Sequence, residues 1–186
     1  MSYILLRGKC RQCKSNISLK YPVIELLTGF IFVLFFLKFG LEKIYFFYII
    51  ITGYLIIFTF IDLKNKIVPD ETILLFIITG FIFNIMEING KINIFDGLTA
   101  GIAAAFIIYL LNFFSNGKIG EGDIKLFMCL GICMGLSAVL NIIMYSFITG
   151  AAASLLLLAI GKRKRSDEIA FVPFITAAFL MESLVL

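Results

Sequence analysis

Asp62 in FTFIDLKNKIVPD and Asp123 in GKIGEGDIKLF are carboxylates set into a chain that otherwise suits lipid. An acid at membrane depth is costly, and such residues are kept for ion paths, proton relays or catalysis. Two carboxylates that share a site cannot both ionise easily, so they hold one proton between them and titrate as a unit. That arrangement supplies both the acid and the base needed to drive water onto a peptide carbonyl. The chain has no histidine, which excludes Ser-His and Cys-His catalysis and zinc sites of the His-Glu-x-x-His type. On spacing alone a bland alternative stays open, in which the two acids cap helices or balance neighbouring lysines at loop edges.

The elements that must position these acids are membrane helices. Of 186 residues, 61% are hydrophobic and 15% charged, with a mean hydropathy of +1.07, against a charged share of about 25% in soluble domains. At roughly 20 residues per span, an all-α, polytopic helix bundle of about seven segments with short loops is expected. Apolar runs fall at 22–38, 44–61, 72–88, 94–114, 124–136, 137–160 and 169–186. Every break between them carries charge except the join near Gly135. Asp62 ends the second run, and Asp123 opens a fifth run too short for a ~30 Å hydrocarbon core. Gly120 and Gly122 beside it permit backbone geometries that a Cβ would block, so water and an extended peptide can come close. Small residues at Gly97, Gly101, Gly131 and Gly150 read as seams of close helix packing. The opening MSYILL is too short for a signal peptide, and its basic residues follow rather than precede it.

Orientation follows from the basic residues, because cytoplasmic loops carry the excess of Lys and Arg. With the N-terminus inside, thirteen of the 16 basic residues lie on the cytoplasmic side, and only Lys38, Lys43 and Lys91 lie outside. Asp62 and Asp123 then share the cytoplasmic face. Anionic lipid headgroups account for the net charge of +4, so nucleic-acid binding is not expected.

Four stretches together resemble the bacterial prepilin leader peptidases, the processing enzymes of type IV prepilins and pseudopilins. Asp62 is followed by LKNKIVPD, and Asp123 lies in a Gly-x-Gly-Asp-x-Lys-Leu segment. CRQCKSNISLKYPVIELLTG is similar to that family's Cys-x-x-Cys segment leading into Tyr-Pro-x-x-Glu-Leu, and EIAFVPFITAAF to its Pro-Phe segment. Gly-x-Gly-Asp also occurs in presenilin-like proteases, but their Tyr-Asp motif and Pro-Ala-Leu segment are absent here. The resemblance implies an intramembrane aspartic endopeptidase of the bacterial inner membrane. Such an enzyme removes a short basic leader from pilin-like precursors, in pilus assembly or protein secretion, with Asp62 and Asp123 as its catalytic pair. Gly120, Gly122, Lys125 and Asp70 are expected in support, Lys125 beside Asp123 and Asp70 as a cap on the third helix.

The resemblance also implies a division into a basic cytoplasmic segment, 1–21, and a membrane-embedded peptidase domain, 22–186. Longer members have a further helix and a second Cys-x-x-Cys pair upstream, which completes a four-cysteine metal site. Only Cys10 and Cys13 have metal-ligand spacing here, and structural zinc takes four ligands. A reduced thiol pair is therefore expected. Cys129 and Cys133 stand at the i, i+4 spacing of a packing face. Proteolysis needs no cofactor, and efficient methylation with S-adenosylmethionine is not expected of this segment. Glu25, paired with a neighbour such as Lys20, and Glu182 are further acids within apolar runs. The rival from another class is a small proton-coupled or ion-coupled transporter that uses Asp62 and Asp123 as a relay.

Overall fold

The computed structural model describes residues 8–9, 11–88, 92–160 and 169–185. They form six helices: α1 (Lys20–Phe39), α2 (Lys43–Asn65), α3 (Asp70–Ile85), α4 (Ile94–Phe114), α5 (Glu121–Ala159) and α6 (Val172–Val185). Among the described residues the only β pairing is an isolated bridge between Lys9 and Asn16. Helices α1, α2, α4 and α5 are long and apolar enough to cross a membrane, and α6 is a shorter apolar helix. Large apolar side chains such as Leu26, Phe95, Phe106 and Leu155 face outward, which suits a hydrocarbon solvent and not water. The chain is a multi-pass membrane helix bundle.

It divides into two compact units, Met1–Leu41 and Glu42–Leu186. In the first, the Lys9–Asn16 bridge and a hydrogen bond from Ile17 N–H to the Gly8 carbonyl (2.8 Å) close a small loop ahead of α1. Helix α1 stops at Gly40, whose φ of 64° favours glycine.

In the second unit, α4 and α5 approach through glycines. A Cβ on Gly131 would lie 2.7 Å from the Ala100 carbonyl oxygen, and one on Gly101 would lie 3.0 Å from that of Met128. The seam expected at these residues is therefore a true backbone approach. Helix α5 is broken at Gly135, where φ 78° and ψ 175° are open only to glycine. This is the uncharged join that span counting had required near Gly135. A break interrupts the backbone ladder, and in lipid its polar groups need partners from neighbouring helices. Asn84 of α3, buried, donates from Nδ2 to the Ile132 carbonyl at 2.9 Å, three residues before the break.

Helix α6 docks on α2 and α5. Thr59 and Thr176 share a hydroxyl hydrogen bond of 2.8 Å, and Asn141 Nδ2 donates to Glu182 Oε1 at 3.2 Å. The core between α2 and α3 is aromatic, with Tyr54 stacked on Phe76 and Phe47 set edge-on to Phe83. Cys129 and Cys133 are buried toward α3, where the Cys129 thiol faces the Ile73 carbonyl and the Cys133 sulfur lies against Gly80. They pack, as their spacing indicates.

Candidate active site

Asp62 lies in the last turn of α2, not in a loop at its edge. The apolar run stops at Ile61, but the helix continues for another polar turn to Asn65. It ends at Lys66, whose left-handed conformation (φ 55°, ψ 37°) lets its N–H close back on the Asp62 carbonyl at 2.9 Å. The side chain of Asp62 is buried, 7% exposed, and Oδ2 accepts the backbone N–H of Val172 at 3.0 Å. Val172 is the first residue of α6, so its N–H has no partner within that helix.

Asp123 lies in the first turn of α5, which begins three residues earlier than the apolar run because Glu121 and Asp123 suit a helix N-terminus. Its carboxylate reaches back to the Gly120 backbone N–H, and it interacts electrostatically with Asp62. The two acids, 61 positions apart in sequence, are thus brought within electrostatic reach of each other by the end of α2 and the start of α5.

The two glycines have different surroundings. A Cβ on Gly122 would lie 2.9 Å from both Cβ and Cγ2 of Val68, so the α2–α3 loop presses directly on the helix turn that carries Asp123. Only the absence of a side chain permits that approach. A Cβ on Gly120 would come within 3.3 Å of Asp123 Oδ2 itself.

Lys125 does not serve Asp123 as the sequence led us to expect. Its Nζ pairs with Asp70 Oδ1 at 2.5 Å, and both side chains are exposed. Asp70 correspondingly does not cap α3 with its side chain. The capping position is Pro69, and Asp70 is the first helical residue, where its charge suits the N-terminus. The pair joins the starts of α3 and α5 across the outside of the site.

Cys13 is exposed, with Sγ 3.0 Å from Ser15 Oγ. Cys10 and the side chain of Lys20, the expected partner of the exposed Glu25, lie outside the described residues. No group of three or more His, Cys, Asp or Glu that could hold a metal occurs among the described residues.

Two features were not read from the sequence. One is Val68, which looks like an ordinary loop residue until Gly122 is seen beneath it. The other is the Phe171–Val172 segment, visible beforehand only through its likeness to a family segment, because a backbone N–H carries no signature in the amino-acid types.

Residues 49–155, which include both acids, match the model of the type IV leader peptidase family, and residues 1–39 match the bacterial Peptidase A24 N-terminal domain. The prepilin leader peptidase/N-methyltransferase of Neisseria gonorrhoeae is 35% identical over 184 residues, covering 96% of this chain and 62% of the relative. Proteins of the same name from Aeromonas hydrophila and Legionella pneumophila are 29% and 30% identical, over 96% and 97% of this chain and 62% and 64% of their own lengths. The chain therefore spans a little under two thirds of these relatives. No solved structure matches it. The family match covers more than half of the chain and contains the segments that hold Asp62 and Asp123, so the chain belongs to the type IV leader peptidase family.

Proposed function

We propose that this chain is an intramembrane aspartic endopeptidase that removes the short basic leader from type IV prepilin or pseudopilin precursors. The observation that carries the reading is the meeting of Asp62 and Asp123 at the end of one apolar helix and the start of another, within electrostatic reach. Such a pair holds one proton. The ionised carboxylate takes a proton from water as the oxygen attacks the scissile carbonyl, and the protonated one hydrogen-bonds that carbonyl and then supplies the leaving amine. Gly122 lets the α2–α3 loop close onto the turn that carries Asp123, Gly120 leaves room for the Asp123 carboxylate, and the Asp70–Lys125 pair holds the rim.

Residues 1–21 are the basic cytoplasmic segment in this reading, and 22–186 are the membrane-embedded peptidase domain. The N-terminus and the acid pair face the cytoplasm of a bacterial inner membrane, as the placement of thirteen of the 16 basic residues supports. The cut requires neither metal nor S-adenosylmethionine. The relay reading has no comparable support, because both acids gather at one set of helix ends instead of marking a path.

The test is co-expression with pilin-like precursors from the same genome, followed by N-terminal sequencing. A product beginning at the boundary between the basic leader and the apolar helix is expected, and chelation should leave the yield unchanged. An intact precursor with every candidate would overturn the assignment. The mass of the product, with or without one added methyl group, reports the second activity in the relatives' names.

A further inference from the structure

We propose that the short segment entering α6, Phe171–Val172–Pro173, is the positioning device of the acid pair: Phe171 anchors it, and the Val172 N–H fixes the direction of the Asp62 carboxylate. The inference rests on the reading of Asp62 as catalytic.

The Val172 N–H lies 3.0 Å from Asp62 Oδ2, and the Phe171 backbone also hydrogen-bonds this carboxylate. What places these groups is the Phe171 ring. It sits 5.1 Å from the ring of Phe147, 6.4 Å from Phe127 and 6.3 Å from Phe174. Its edge lies over Gly150, where an added Cβ would come within 3.2 Å of Cε2. Phe127 is one turn beyond Asp123 on the same helix. The ring therefore couples the helix that carries Asp123 to the backbone that holds Asp62. The register is fixed a second time one turn away, where Thr176 meets Thr59.

A buried aspartate with two free torsions points its oxygens correctly only part of the time, and an N–H held by a packed ring removes that freedom before substrate arrives. The competing account is structural: Asp62 merely satisfies an orphan N–H at the start of α6. The two accounts differ in what happens when the N–H itself is deleted. Proline is well tolerated at the first helical position, and Phe171, which would precede it, lies outside the helix. Val172→Pro thus removes the donor and leaves Asp62 Oδ2 without it, whereas Val172→Ala keeps the hydrogen and loses side-chain packing.

The experiment measures kcat, KM and thermal unfolding in detergent for both variants, with Asp62→Asn as control, against a pilin-like precursor. Val172→Pro should lower kcat roughly 10- to 100-fold, the loss of a hydrogen bond to a charged group, with KM nearly unchanged and an unfolding temperature no lower than that of Val172→Ala. Val172→Ala should keep kcat within about threefold while unfolding earlier. If Val172→Pro does not fold, α-hydroxyvaline at position 172 deletes the same hydrogen with the side chain retained and decides in its place. Wild-type kcat in the hydrogen-deleted protein, or equal losses of kcat in both variants in step with stability, would overturn the proposal. An Asp62→Asn protein that still cuts would instead remove the catalytic reading on which it rests.

Discussion

Asp62 is held by the backbone of Phe171 and Val172 and Asp123 by that of Gly120, and those donors belong to different parts of the chain. An asparagine keeps the shape of an aspartate at either position but cannot exchange a proton. Asp62→Asn and Asp123→Asn are therefore each expected to abolish cleavage while the protein still folds, read by precursor processing alongside thermal unfolding. Asp70→Asn removes only an exposed ion pair, worth about 1 kcal/mol or less, and should leave most of the activity. The two dyad candidates stand out in the sequence through the segments around them, Asp62 before LKNKIVPD and Asp123 in Gly-x-Gly-Asp, because position at the edge of an apolar run leaves a capping role equally open. The partner of Lys125 was not legible, since Asp70 is 55 residues away and nothing in the local sequence favours it over Asp123.

At the scale of elements, the site is built where a loop and two helix ends touch, and the contact of Val68 with Gly122 is its tightest point. Gly122→Ala should displace the α2–α3 loop, cost about 1–3 kcal/mol and reduce processing at least tenfold. Val68→Ala in the same chain should recover much of that loss, because it removes the atoms that the new methyl meets. Asn84→Ala tests the break in α5: an unpartnered Ile132 carbonyl should cost about 1–2 kcal/mol in a detergent unfolding assay. Helix existence was readable from hydropathy, and the break at Gly135 from the need for a turn between two apolar runs. Helix ends were less so. The polar last turn of α2 and the acidic first turn of α5 lie outside the apolar runs that reveal a span, yet these turns hold the acids.

For the molecule as a whole, the sequence specifies a membrane bundle through composition and predicts its sidedness through charge. It could not say which helix ends meet, since that is decided by glycine contacts and by Asn84, Thr59 and Thr176 acting between distant segments. The expectation of seven crossings with the N-terminus inside makes a definite prediction for single-cysteine labelling from the outer side. Positions near Glu42 and Gly90 should react, and positions near Lys64 and Arg163 should not. Reaction at Lys64 from outside would reverse the orientation and move the acid pair to the opposite face.

The break at Gly135 has a bearing on the lipid around the protein. Helix α6 has only 14 residues, and the half of α5 that begins at Glu121 stops at the break, so each is roughly 21 Å long. Both begin at the acid pair. A bilayer core of ~30 Å is not matched by either, and the acyl chains beside them must shorten, or headgroups and water must dip toward Asp62 and Asp123. If the pair performs the proposed cleavage, its water would come by way of a local defect in the membrane, and the lipid's own thickness would be one of the variables that set the rate.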